Sequence, residues 1–218
     1  MNFIKRRLAW LTDQILCLFI SFLTGVRPKS EREIPSMPTH ATVYYANHAS
    51  HGDFLLIWVS LPRRWRKHVR PVAGADYWLS NPIKRFVITY VFNGLLVARD
   101  GNNPQASTEK MQAALMRRQS IIIFPEGTRN TDENCTLQPF KSGIYHLANQ
   151  VPQTNFVPMW IENINHVLPK GKVLPVPLLC QVHIGEPLTI RPYEGKEEFI
   201  ARCHAALLAL APQHKENA

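Results

Sequence analysis

Two short segments of the sequence hold residue types suited to proton transfer and anion binding. The first is Asn47-His48-Ala49-Ser50-His51-Gly52-Asp53. An imidazole titrates near neutral pH and suits general-base work. A carboxylate on one ring nitrogen fixes the tautomer and leaves the other nitrogen free to take a proton. His48 and Asp53 would point about 140° apart on a continuous helix, so they meet only if the chain turns between them, a turn that Gly52 eases. Taken alone, the simpler reading is better: a strand-end histidine followed by an aspartate that caps the next helix. Ser50 invites a Ser-His-Asp hydrolase reading, but the chain has no G-x-S-x-G elbow to present a nucleophile. His51 is read as structural, being only two residues from Asp53.

The second segment is SIIIFPEGTR, residues 120–129. It reads as a buried strand ending at Phe124, stopped by Pro125, with Glu126-Gly127-Thr128-Arg129 turning at its end. Gly127 permits close backbone approach, and Arg129 offers a planar fork suited to phosphate. Glu126 would accept from a substrate hydroxyl or hold Arg129. The plain alternative is a surface turn carrying a Glu–Arg pair.

Positioning these segments requires strands that deliver them to a common edge. Short apolar runs predict strands at 41–46, 69–74, 94–98, 120–124, 155–160 and 178–184. Longer patterns predict helices at 53–60, 82–92, 104–118, 140–149 and 195–211. Strands alternating with helices predict a single α/β domain, with a mixed, mostly parallel sheet flanked by helices. Sites in such sheets gather beyond the carboxyl ends of strands, which singles out the loops 47–53, 99–102 and 125–130.

Composition narrows the class further. The chain has 218 residues, 45% of them hydrophobic, which excludes a disordered protein. It lacks the series of long apolar runs that a polytopic membrane protein needs. The formal charge of +9 is distributed over Lys5–Arg7, Arg63–Arg70, Lys84-Arg85 and Arg117-Arg118 rather than held in one tail. Such a surface suits anionic lipid, phosphorylated substrates or nucleic acid, although a merely soluble basic face is the plainer reading of charge alone. The four cysteines show no zinc or disulfide spacing, pointing to a reducing, cytosol-facing environment. The other histidines, among them His146, His183 and His204, read as core or surface residues. Trp58, Trp78 and Trp160 read as packing, with Trp65 suited to an interface.

Residues 8–26 place Leu8, Leu11, Ile15, Leu18, Phe19 and Phe22 on one helical side, with basic residues at both ends. Asp13 argues against a cleaved signal peptide and against a spanning helix. An interfacial helix fits best, so residues 1–30 are expected to form an amphipathic, membrane-associated helix and 31–218 the remaining domain. A helix packed on the protein's own core is the alternative.

Four blocks, in order, resemble the glycerolipid acyltransferases typified by 1-acylglycerol-3-phosphate acyltransferase. They are Asn47, His48, Ser50 and Asp53 (N-H-x-S-x-x-D), Gly94 to Arg99, Phe124 to Arg129 (F-P-E-G-T-R) and Val157-Pro158-Met159. Phe140-Lys141-Ser142-Gly143 and Gly185-Glu186-Pro187 match two further family patterns. The resemblance spans roughly residues 40–190. Ala98 stands where many members carry Asp, and Met159 where Val is common. The resemblance implies transfer of a fatty acyl group from acyl-CoA or acyl carrier protein to a lysophospholipid hydroxyl, 1-acylglycerol-3-phosphate first. His48 would be the base and Asp53 its orienting acid. Arg99 and Arg129, with Lys141, would hold the acceptor's phosphate, and Glu126, Gly127 and Thr128 would complete the substrate-binding turn. Neither metal nor cofactor is implied. The expected partners are an anionic membrane surface, the acceptor and the donor, without nucleic acid, at the cytoplasmic face of the inner membrane. Another lysophospholipid, or a lyso-amino-acid lipid, is the nearest alternative acceptor. A thioesterase is the rival enzyme class, and a basic membrane-peripheral or nucleic-acid-binding module is the rival outside catalysis.

Overall fold

The computed structural model of the chain describes residues 3–27, 40–50, 52–98, 104–132, 134–162 and 179–212. Its centre is a six-stranded sheet in the order β3-β2-β4-β1-β5-β6. The strands are β1 (Thr42–Ala46), β2 (Val69–Gly74), β3 (Leu95–Val97), β4 (Ser120–Ile123), β5 (Asn155–Glu162) and β6 (Gln181–Ile184). All neighbouring pairs are parallel except β5–β6, which is antiparallel. The expected mixed, mostly parallel sheet is therefore present. The expected strand at 178–184 shortens to Gln181–Ile184, and residue 178 lies outside the described residues.

Central strands of such a sheet are buried on both faces, and their sequences show it. β4 is Ser120-Ile121-Ile122-Ile123, buried throughout. Alternate side chains enter two separate cores. Tyr44, Ile122, Val157 and Met159 join one core with Phe54, Ile57 and Trp58. Val43, Tyr45, Ile121, Phe156 and Trp160 join the other with Leu115, Leu147 and Phe199.

The first face is covered by α1 (Phe3–Thr24), α2 (Asp53–Ser60), α3 (Arg63–Arg66), α4 (Ala75–Trp78) and the turn that follows α5 (Pro82–Phe86), and the second by α6 (Pro104–Met116), α7 (Gly143–Gln150) and α8 (Lys196–Leu208). The helix expected over 82–92 is divided: after α5 the chain widens into a π turn, Val87–Val91. Gly94 follows with no room for a side chain, since an added Cβ would lie 2.5 Å from Ile88 Cδ1. The helix expected from 140 begins at Gly143, because Phe140 and Lys141 are used in the loop below it. The brief helices α3 and α4 are too short to leave a periodic signal.

α1 starts at Phe3, earlier than the apolar stretch at 8–26, and ends at Thr24 before Gly25 at φ +70°. Its two sides differ in what they touch. Leu16, Cys17, Ile20 and Leu23 pack on the first core. Ile4, Leu8, Leu11, Ile15, Leu18 and Phe22, spaced by alternating fours and threes, are exposed. Asp13 lies on the packed side, where Trp58 Nε1 donates to its Oδ1 at 2.8 Å.

Candidate active site

β1 and β4 are parallel neighbours, with Tyr45 level with Ile123. The chains leaving them, 47–53 and 124–130, therefore emerge side by side at the carboxyl edge of the sheet. Asn47 extends the pairing of β1 with β5 beyond the strand: its Nδ2 donates to Ile161 O at 3.0 Å, and its Oδ1 accepts from Ile161 N at 2.8 Å. This fixes the residue preceding His48.

His48 is held through its backbone and its ring. Its N–H donates to Glu126 Oε1 at 2.6 Å, and its carbonyl accepts from Asn130 N at 2.6 Å. The ring stacks on Phe124, with centroids 4.4 Å apart and planes 20° apart. Nδ1 lies 2.8 Å from Asp53 Oδ2. Asp53 is fully buried (0% exposed) and also accepts from Ala49 N at 2.7 Å and Ser50 N at 2.9 Å. Amide donors stabilise the carboxylate in this apolar setting. Asp53 is the first residue of α2, but its bonds run back to the preceding loop, and Gly52 occupies the N-cap without a side-chain cap. The helix-cap reading of Asp53 therefore does not describe its contacts. With Nδ1 placed on the carboxylate, the tautomer that leaves Nε2 as acceptor follows from the hydrogen-bond network.

Ser50 is outside this relay. Its hydroxyl accepts from Gly52 N at 3.2 Å, tightening the turn that brings Asp53 back to His48. His51 lies outside the described residues.

The second segment sits directly against the first. Gly127 takes φ +75°, a conformation that costs other residues. An added Cβ there would lie 3.2 Å from Lys141 Cγ. Lys141 N donates to Pro125 O at 2.8 Å, so the 140–143 loop is tied to the turn. Thr128 Oγ1 donates to Gln138 Oε1 at 3.3 Å. Arg129, Thr128 and Lys141 are exposed at the rim. Arg99 lies outside the described residues, as do residues 100–102 of its loop.

Glu126 differs from its sequence reading. It is 2% exposed, and its two oxygens accept from the backbone N–H groups of His48 (2.6 Å) and Gln138 (3.1 Å). Among the described residues it forms no ion pair with Arg129. Pro125 turns the chain so that this side chain points under the His48 loop while Arg129 faces outward. Burial raises its pKa, opposed by the two backbone donors. Gln138 was missed from sequence, and Asn130 was reached only as the end of the 125–130 loop, with no role. Neither chemistry nor spacing marks them, since they act by bonding to loop residues distant along the chain. Among the described residues no three His, Cys, Asp or Glu side chains converge as metal ligands would. The assembly offers an oriented base with a buried acid behind it, beside a turn whose rim carries cations.

A family model described as Acyltransferase matches residues 27–162. The chain belongs to this acyltransferase family. Among curated relatives, the 1-acyl-sn-glycerol-3-phosphate acyltransferase of Limnanthes douglasii is 32% identical over 149 residues, covering 62% of this chain and 47% of that protein. The 1-acyl-sn-glycerol-3-phosphate acyltransferase alpha of Homo sapiens is 28% identical over 188 residues, covering 84% of this chain and 61% of that protein. The chain thus spans about half to three-fifths of the length of these relatives. The crystal structure of the 1-acyl-sn-glycerophosphate (LPA) acyltransferase PlsC from Thermotoga maritima shares the fold. Its TM-score is 0.73 at 20% identity, covering 94% of this chain and 79% of that one.

Proposed function

We propose that the protein transfers a fatty acyl group from an acyl thioester to the free hydroxyl of 1-acylglycerol-3-phosphate, giving phosphatidic acid. His48 Nε2 takes the hydroxyl proton as the alcohol oxygen attacks the thioester carbonyl. The carbon–sulfur bond then breaks, and the imidazolium returns its proton to the departing thiolate. Asp53 keeps the imidazole oriented and stabilises its charged form. Since a thioester is already activated, no covalent enzyme intermediate is needed. Arg129 and Lys141 at the rim, with Arg99, would hold the acceptor's phosphate. Glu126 serves by fixing the His48 backbone, and Gly127 and Thr128 shape the turn the acceptor meets.

The observation that carries this reading is the 2.8 Å His48–Asp53 contact placed against the Phe124–Arg129 turn, in a chain of the acyltransferase family. The relatives' names point to 1-acylglycerol-3-phosphate as acceptor. The donor is acyl-CoA or acyl carrier protein, and the mechanism requires no cofactor.

The enzyme would work at the cytoplasmic face of the inner membrane, held by α1 without nucleic acid as a partner. α1 is long and apolar enough to cross a bilayer by length and composition. Its packed side and its contact through Asp13 instead favour a helix lying in the interface, exposed stripe toward lipid. The test is transfer of label from acyl-CoA and from acyl carrier protein across a set of lysolipids. Phosphatidic acid formed from 1-acylglycerol-3-phosphate supports the reading. Release of free fatty acid at saturating lysolipid would make the protein a thioesterase.

A further inference from the structure

Away from the His48 site, the packed side of α1 closes one wall of a cavity of about 270 Å³. α3 and the π turn complete it. Arg6, Arg63, Arg66 and Lys67 line it against one carboxylate, Asp13. Asp53 opens α2, while Trp58 on the cavity wall is five residues along that helix, followed by Arg63 to Lys67. Lys67 and Asn93 precede β2 and β3, so the cavity belongs to the amino edge of the sheet, and the dyad to the carboxyl edge.

Arg6, Arg63 and Lys67 are exposed, but the fourth cation of the wall is not solvated. Arg66 is buried, 5% exposed. Its guanidinium donates to Val59 O at 2.8 Å, Leu61 O at 3.1 Å and Cys17 Sγ at 2.9 Å. Those are uncharged partners for three of its five donors. Among the described residues no carboxylate forms an ion pair with it. Asp13, the single acid on the wall, is already engaged by Trp58 Nε1 and by Gln14 Nε2 at 2.9 Å. Cys17 Sγ also donates to Asp13 Oδ1 at 3.6 Å, so the nearest acid reaches Arg66 only through a thiol. A buried cation with no direct ion pair is costly, and here it lines a concavity with three further cations on its wall.

We propose that this cavity binds the phosphate group of an anionic membrane phospholipid, as a site separate from the acceptor site. The shared chemistry is a phosphate ester, and its position commits the source to lipid. The cavity adjoins α1, whose other side carries the exposed stripe Ile4, Leu8, Leu11, Ile15, Leu18 and Phe22. Its wall includes Trp10 and Tyr90, partly exposed rings of the kind found at the head-group level of bilayers. Arg63 lies over Trp10 at 5.9 Å and donates to Gln14, so the wall is held in place. A head group seated here would fix α1 against the membrane and so set the orientation of the carboxyl edge.

This inference rests on the membrane reading of α1, and one binding experiment separates the two. The full chain is sedimented with phosphatidylcholine vesicles containing or lacking phosphatidylglycerol. Arg63→Glu with Lys67→Glu should lower partition onto the anionic vesicles by roughly tenfold or more. Arg191→Glu with Lys196→Glu, the same charge change on exposed residues beside and at the start of α8, which packs on the other face of the sheet, should change it less than threefold, since screening isolates distant charges. The His48→Ala protein should bind as the wild type does. Dihexanoyl phosphatidylglycerol below its micelle concentration should bind the wild type and not the Arg63/Lys67 variant, by calorimetry, with both proteins folded by circular dichroism. Equal losses in the two charge-reversed pairs overturn the site in favour of diffuse charge. Inorganic phosphate binding as tightly as the short-chain lipid overturns the lipid assignment. Wild-type protein that ignores anionic vesicles overturns the membrane reading as well.

Discussion

Asp53 concentrates more hydrogen bonding than any other acid near the site. Its Oδ2 receives the His48 ring and the amides of Ala49 and Ser50. An amide side chain keeps the shape but turns one acceptor into a donor facing donors. Asp53→Asn should therefore reduce kcat by about 10²- to 10⁴-fold with the protein still folded. Acyl transfer within a few-fold of wild type would remove its role. Glu126 makes a sharper test, because sequence and structure assign it different work. If it fixes the His48 backbone, Glu126→Gln should lower kcat by about tenfold or more while leaving the acceptor KM nearly unchanged. A raised KM at constant kcat would return Glu126 to acceptor binding. The His48–Asp53 pairing was legible through the resemblance of the N-H-x-S-x-x-D and F-P-E-G-T-R blocks to a known family; the five-residue spacing with Gly52 only permits a turn, and alone it favoured a helix cap. The partners of Glu126 were not legible, since Gln138 is twelve residues away and bonds through its backbone, which no residue type reveals.

Elements with strong local patterns were readable to within a residue or two. β2 and α2 have the boundaries that their apolar runs predict, Val69–Gly74 and Asp53–Ser60. Elements shaped by tertiary contact were not. The 82–92 stretch has continuous helical character, yet it opens into a π turn because Gly94 must pass against Ile88, with Gly94 N donating to Ile88 O at 2.7 Å. Gly94→Ala would place a methyl within 2.5 Å of Ile88 Cδ1. We expect a loss of about 1–3 kcal/mol, read as a fall in Tm of several degrees. An unchanged Tm would show that the turn relaxes freely. The order of strands was also hidden, because neither apolar pattern nor helix spacing says that β4 inserts between β2 and β1. That insertion is what brings the two chemistry-bearing loops together.

At the scale of the whole molecule, α1 has two unlike sides, one packed on the first core and one exposed. Ile15→Asp with Leu18→Asp alters only the exposed stripe, where these residues are 57% and 72% exposed. Vesicle binding should fall by at least tenfold while Tm stays within about a degree. Loss of folding instead would mean that the stripe is internal structure. On the other face of the sheet, α8 is tied down by Arg202, which holds Glu194 in two bonds of 2.7 Å. That contact, above all, lowers the Glu194 pKa from its ordinary 4.5. A folded pKa below the unfolded one contributes stability that is present above pH 4.5 and lost as pH falls through the depressed value. The Tm gap between wild type and Arg202→Ala should therefore be full at neutral pH and narrow below pH 4.5. A gap independent of pH would assign the effect to packing.

The central claim concerns the imidazole of His48, and its most direct test is single-turnover transfer of labelled acyl groups from an acyl thioester to 1-acylglycerol-3-phosphate by folded His48→Ala protein. A base worth its usual contribution predicts a rate reduced by about 10²- to 10⁴-fold, with vesicle binding intact. A rate within a few-fold of wild type would contradict the account.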